Sequence, residues 1–235
     1  GLAASIAERE TTKHPGPVSA IVFGSDQGLV GQFNDIVADH AIQVLAGLPG
    51  QPKVWAVGER VQARLADAGL PLVGLFTVPN SVHAITPLVG EIQIESEVYR
   101  AKNDSGDLWV FHNQPLPGSL YEPVSQRLLP LDARWWLGLA KVSWPNGNLT
   151  EVLGKNVTTL SALVREYLFI SLFRACAESL ASENASRLAA MQRAEKNIDD
   201  LLEQLQATSH QLRQSNIDEE LFDVIAGFEA LGGSR

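Results

Sequence analysis

Cysteine is almost missing from this chain. Cys176 stands alone among 235 residues, so no internal disulfide can form, and a reducing compartment or indifference to redox is implied. Positive charge is also short: 18 Lys and Arg face 27 Asp and Glu, for a net charge of −9. That balance speaks against non-specific nucleic-acid binding, which needs clustered basic residues to neutralise phosphates. No apolar run reaches the roughly 18–20 residues of a membrane-spanning helix. The opening Gly1-Leu2-Ala3-Ala4-Ser5-Ile6 lacks the basic flank and long apolar stretch of a signal peptide. With 45% hydrophobic residues, the chain can build a sizeable core without a metal or disulfide staple. A soluble, cytosolic protein of one large domain, or one and a half ordinary ones, is expected. Composition excludes collagen, continuous coiled coil and wholesale disorder.

The first half alternates two patterns. Val18–Phe23 is a short apolar run bounded by Pro17 and Gly24, as a buried parallel strand should be. Lys53–Gly58, Leu72–Val78 and Asp107–His112 repeat the pattern. Between them, Asn34–Leu45, Glu59–Ala68 and Ile85–Arg100 carry apolar residues at helical spacing, with Gly47 and Gly69 at the positions of helix C-terminal glycines. Such short strand–helix–strand units imply α/β architecture: a small, mostly parallel sheet with helices on both faces. From Ser119 to Asn156 prolines and glycines interrupt the pattern. One further strand or hairpin is expected around Gln126–Leu131, with Trp135 and Trp136 packed under it as core filling.

The last third differs in kind. After Gly154 there is no proline, and no glycine before Gly227, while Ala, Leu, Glu, Gln and Arg dominate. Asn156, Thr158 or Thr159 can cap a helix start and Gly232-Gly233 can end it. One very long C-terminal helix of coiled-coil type is predicted. At 1.5 Å per residue it is about 110 Å long, whereas a compact globule of this chain length has a radius of gyration of roughly 17–18 Å. Met191, Ile198, Leu205 and Leu212 recur every seven residues, with Ala194, Leu201, Thr208 and Ser215 three places after each. That is a narrow coiled-coil seam. Ile217, Leu221, Val224 and Phe228 then shift it by a stutter. Leaving the four seam residues in water forfeits roughly 1.5–3 kcal/mol each, so the seam requires a partner helix from outside this sequence.

Chemistry-bearing motifs are sparse. Gly24-Ser25-Asp26-Gln27-Gly28-Leu29-Val30-Gly31 follows a strand and opens a helix, the position of a phosphate cradle. It matches neither G-x-G-x-x-G nor a P-loop, and a glycine-rich structural turn is the simpler reading. Asp26 has no second acid or His at a telling spacing. The five histidines are scattered singly, with no metal-ligand pair. Cys176, in an apolar helical stretch, reads as a small buried hydrophobe. Catalytic, cofactor-binding and metal-binding residues are therefore not assigned.

Three segments carry a resemblance. Ser25-Asp26-Gln27-Gly28-Leu29-Val30-Gly31-Gln32-Phe33-Asn34 is similar to S-D-R-G-L-C-G-x-F-N. Glu178-Ser179-Leu180-Ala181-Ser182-Glu183-Asn184-Ala185-Ser186-Arg187-Leu188-Ala189-Ala190-Met191 is similar to E-S-L-A-S-E-H-A-A-R-M-x-A-M. Leu212-Arg213-Gln214-Ser215-Asn216-Ile217-Asp218-Glu219-Glu220-Leu221 is similar to A-R-Q-x-x-I-T-x-E-L. All three patterns belong to the gamma subunit of rotary F-type ATP synthases, and the chain resembles a divergent branch of that family with no counterpart of its N-terminal helix.

The resemblance implies an α/β foot over residues 1–156 and one strand of a central shaft over 157–235. It implies a non-catalytic rotor subunit that couples rotation of the membrane c-ring to the nucleotide sites of the alpha/beta ring. Its partners would be the alpha, beta and epsilon subunits and the c-ring, in the F1 sector at the cytoplasmic face of a bacterial inner membrane. Glu183, Arg187, Arg213 and Gln214 map to contacts with the alpha/beta ring; Met191, Ile198, Leu205 and Leu212 form the seam. Two rival readings are a flavodoxin-like or dehydrogenase-like nucleotide-binding enzyme using the Ser25–Gly31 turn, and a scaffold dimerising through the C-terminal helix.

Overall fold

The computed structural model describes residues 17–103, 106–117, 119–131, 138 and 156–232. Five strands form one sheet: β1 (Ser19–Phe23), β2 (Lys53–Val57), β3 (Leu72–Phe76), β4 (Leu108–Leu116) and β5 (Ser119–Leu129). Their order is β3-β2-β1-β4-β5. The first four are parallel and β5 is antiparallel to β4. Among the described residues, four α-helices accompany them: α1 (Phe33–Ala46), α2 (Glu59–Asp67), α3 (Ile85–Asn103) and α4 (Asn156–Gly232), with a 3-10 turn at Val82–Ala84 ahead of α3.

The path runs outward from β1 to β3, then returns to the other side of β1 for β4. With right-handed crossovers, that reversal places α1 and α2 on one face and α3 on the other. Two cores result. Val37, Ala38, Ala41 and Leu45 of α1, with Val61 and Leu65 of α2, pack on Ala20, Val22, Val54, Ala56 and Phe111. On the opposite face, Ile85, Val89 and Ile92 of α3 share a core with Leu168, Leu172, Ala175 and Cys176 of α4, over Ile21, Phe23, Trp55 and Val110. The expected α/β class with a mostly parallel sheet and one long C-terminal helix is found.

Some local expectations change. The fifth strand is longer than Gln126–Leu131 and starts before Pro123, which pairs with Asn113. Proline is tolerated there because β5 is an edge strand with β4 as its one neighbour. Gly47 ends α1 at φ −82°, right-handed, so it is not the left-handed terminator; Gly69 after α2 is, at φ +75°. Trp135 and Trp136 lie outside the described residues.

Contacts divide the chain after Arg187 into two compact units, residues 1–187 and 188–235. In the first, residues 168–186 of α4 contribute buried positions. In the second, every described side chain from Met191 to Glu229 is exposed, including all four seam residues, Met191, Ile198, Leu205 and Leu212, at half or more of their surface.

Candidate functional site

In a doubly wound sheet the strand order reverses between β1 and β4, and a crevice opens at the carboxyl ends of those strands. Enzymes of this architecture bind ligands there. Here the chain's own α4 occupies it. Along one stripe of that helix, His112 Nε2, one residue past the last β1–β4 pair, lies 2.8 Å from Glu178 Oε2. One turn on, Ser182 Oγ donates to Asn113 O at 3.0 Å. One turn further, Ser186 Oγ donates to Val30 O in the loop after β1. Ala175, Ser179, Ser182 and Ser186 are all buried, and their small side chains let the helix backbone approach the sheet closely.

The glycine-rich turn is closed from within. Ser25 N donates to Asn34 Oδ1 at 2.9 Å, and Asn34 Nδ2 returns a bond to Ser25 Oγ at 2.8 Å. Asp26 accepts from Glu59 N through Oδ1 at 3.0 Å and from Val78 N through Oδ2 at 2.8 Å. It thus ties the loop after β1 to the start of α2 and to the segment after β3. Gly58 approaches so closely that a Cβ there would meet Ser25 O at 2.7 Å, and its φ is +114°. The amides at Ser25 and Glu59, which a phosphate would need, already donate to side chains.

Electrostatics follow burial. His112 is 4% exposed, and burial holds its pKa below the ordinary imidazole value despite the Glu178 carboxylate beside it. Because the Glu178 carboxylate can only accept, Nε2 is the donor in this contact. Burial pushes Glu178 upward, but hydrogen bonds from Arg174 and His112 outweigh it and leave its pKa lowered. Arg174 Nε reaches Glu178 Oε1 at 2.7 Å. Burial of the Cys176 thiol pushes its pKa up to about 12, as fits a small core side chain.

Of the residues expected to meet partners, Glu183 and Arg187 come together as an ion pair one helical turn apart. Glu183 is only 4% exposed. Burial raises its pKa, Arg187 partly offsets this, and Asp26 adds to the rise. Arg213 and Gln214 are exposed in the second unit. Gln27, where the similar motif has Arg, lines a small pocket with Asp26, Glu183 and Arg187. Sequence reading missed His112, Glu178, Asn113, Ser182 and Ser186. The small residues at 175, 179, 182 and 186, spaced four, three and four, were a legible sign of a closely packed helix face. For His112 there was no local sign.

A profile of the ATP synthase family matches residues 2–231 of the chain. The chain belongs to the ATP synthase gamma family. It is 25% identical over 217 residues to the ATP synthase gamma chain of Dechloromonas aromatica (strain RCB), covering 91% of this chain and 74% of that one. With the gamma chain of Hydrogenobaculum sp. (strain Y04AAS1) it shares 22% over 215 residues, 91% of this chain and 73% of the other. Among solved structures, the fold is similar to a chain of the Tetrahymena thermophila mitochondrial ATP synthase central stalk and c-ring, with TM-score 0.61, 21% identity and 82% of each chain covered. It is also similar to one in the Euglena gracilis mitochondrial ATP synthase OSCP/F1/c-ring structure, with TM-score 0.65, 14% identity, 99% of this chain and 78% of that one. Family membership, with α4 filling the crevice, displaces the nucleotide-enzyme alternative.

Proposed function

We propose that this gamma-family chain, a central-stalk subunit, acts as a non-catalytic rotor that couples turning of a membrane c-ring to the nucleotide sites of an alpha/beta ring. The observation that carries this reading is that one helix holds both the stripe that fills the sheet's crevice and the apolar seam at Met191, Ile198, Leu205 and Leu212. A torque applied to the α/β foot, taken as residues 1–156, passes into the shaft strand, taken as 157–235, through the bonds at His112, Asn113 and Val30. The seam gives stiffness by pairing with a second shaft helix.

Glu183, Arg187, Arg213 and Gln214 serve the alpha/beta ring, with Arg213 offering a forked cation to carboxylates of the beta subunits. The foot meets the epsilon subunit and the c-ring. No described helix is long and apolar enough to cross a membrane, and the subunit acts peripherally in the F1 sector, at the cytoplasmic face of a bacterial inner membrane.

Co-purification tests this. Co-expressed with ATP synthase alpha and beta subunits and the second shaft helix, the chain is expected in one complex with them. Failure to associate under any salt condition overturns the assignment. A stable homodimer of the chain alone in sedimentation velocity supports the scaffold reading instead.

A further inference from the structure

Beside the seat of α4, within residues 1–187, lies a pocket of about 210 Å³ whose polar lining is Asp26, Gln27, Asn80, Glu183, Asn184 and Arg187. Its formal charge is one negative in excess, from two carboxylates and one guanidinium. Asp26 has both oxygens engaged by backbone amides, at 3.0 and 2.8 Å. Glu183 differs. Its Oε1 receives Arg187 Nη2, but its Oε2 is buried and has no hydrogen-bond partner among the described residues. Buried carboxylate oxygens are as a rule satisfied by a donor, because the uncompensated charge is costly in a low dielectric. Glu183 itself lines the pocket, beside Gln27, Asn80 and Asn184.

We propose that this pocket binds a single monovalent cationic group of the ammonium or guanidinium type, which donates to Glu183 and leaves the Glu183–Arg187 pair in place. Gln27, Asn80 and Asn184 line the same pocket, with Asn184 Oδ1 already accepting from Arg187 Nη1 at 3.4 Å. A divalent metal is a poorer match, because no group of three or more His, Cys, Asp or Glu able to hold one occurs among the described residues. The volume equals about seven waters at roughly 30 Å³ each, which suits a side-chain head group better than a bare ion. Such a group has two sources: a small soluble cation, or an Arg or Lys side chain of a protein partner.

The test uses the full chain alone, so its outcome is separate from that of the rotor assignment. Methylguanidinium, ammonium and acetyl-arginine amide, as chlorides, are titrated in thermal unfolding against choline chloride at equal ionic strength. A saturable rise in Tm of about 3–6 °C at ten times Kd is expected, with a matching shift of the Glu183 side-chain carboxyl carbon in NMR. Acetyl-arginine amide at least tenfold tighter than ammonium points to a partner's side chain; equal affinities point to a soluble cation. Glu183→Gln abolishes both readouts. Gln27→Arg, which brings its own guanidinium, raises Tm and abolishes the titration. Equal response to choline, no saturation, or an undiminished response in Gln27→Arg overturns the proposal, and the last remains decisive if Glu183→Gln fails to fold.

Discussion

Ser179 and Ser182 permit an internally controlled test of what holds α4 in the crevice. Both are buried on the same helix, 3% and 0% exposed and three residues apart. Ser182 Oγ lies 3.0 Å from Asn113 O and 2.8 Å from Glu178 O. The Glu178 carbonyl also has the amide one turn ahead, as helix geometry provides. The Asn113 carbonyl is less well served by the sheet: its partner across the ladder, Pro123, has no N–H, and the β1–β4 pairing ends at Val22 and Phe111. Ser182→Ala therefore leaves a buried carbonyl without its donor, costing about 1–3 kcal/mol. Ser179 Oγ has no partner among the described residues, so Ser179→Ala removes a polar atom that gains nothing from burial and is expected to be neutral or slightly stabilising. For a chain of this size the difference corresponds to about 2–12 °C in Tm. Urea unfolding followed by tryptophan fluorescence measures it directly, and the assembled complex with Ser182→Ala should hydrolyse ATP with reduced ion pumping. If the two alanine variants differ by less than about 0.5 kcal/mol, within the range of ordinary surface changes, the crevice bonds do not hold the helix.

The remaining predictions concern pH, the seam and the sheet. His112 has a folded-state pKa below its unfolded value, so the unfolded chain binds the proton first and stability falls as pH drops below about 6.5. Glu178, also depressed, adds a loss below about 4.3, whereas Glu183, raised, opposes it in the acid range. His112→Gln should flatten the urea midpoint between pH 7 and 5.5; an unchanged slope would remove His112 from the account. Ile198→Asp with Leu205→Asp should leave thermal unfolding of the isolated chain within about 0.5 kcal/mol, since both side chains are exposed there. The same pair should weaken assembly by roughly 10²–10⁴-fold, at 1.5–3 kcal/mol each; equal effects in both assays would refute the seam. A Cβ on Gly74 would fall 2.8 Å from both Trp55 Cδ1 and Glu95 Oε1, where Trp55 Nε1 donates to Glu95 at 2.9 Å. Gly74→Ala is expected to cost about 1–3 kcal/mol, with a red shift of the Trp55 emission as its check.

Legibility tracked how local each determinant was. β1 and β2 could be read because a parallel strand covered on both faces is a continuous apolar run, as Ala20-Ile21-Val22-Phe23 is. β5 could not be read in full: Glu122, Pro123 and Ser125 look like loop, and what makes them a strand is pairing with β4. The long helix was plain from the absence of Pro and Gly over seventy residues. Asp26 was visible as an acid in a turn, but its partners, the amides of Glu59 and Val78, lie 33 and 52 positions downstream. His112 meets Glu178 across 66 positions, and nothing in the residues around His112 announces that contact.

A crevice that serves ligands in other doubly wound proteins becomes a mount when a helix fills it, provided the helix cannot slip. The stripe of Glu178, Ser182 and Ser186 meets His112, Asn113 O and Val30 O in turn, one helical turn per contact. Slide the helix one turn in one direction, and Ser182 faces His112, Ser186 faces Asn113 O, and Ala190, with no hydroxyl, faces Val30 O. Slide it the other way, and Arg174 faces the buried imidazole while the Glu178 carboxylate is pressed against the Asn113 carbonyl. Either shift leaves at least one buried acceptor without a donor, at about 1–3 kcal/mol each, and the second adds repulsion between a carboxylate and a carbonyl. Rotation about the axis by one residue, about 100°, takes all three contacts off the stripe together. Hydrophobic burial of Leu168, Leu172 and Ala175 holds the helix down and resists such steps through the fit of side chains, but, being non-directional, it asks for no particular donor at a particular place. The directional bonds therefore add to packing in setting phase and axial position, the two quantities a rotor must conserve to deliver its torque.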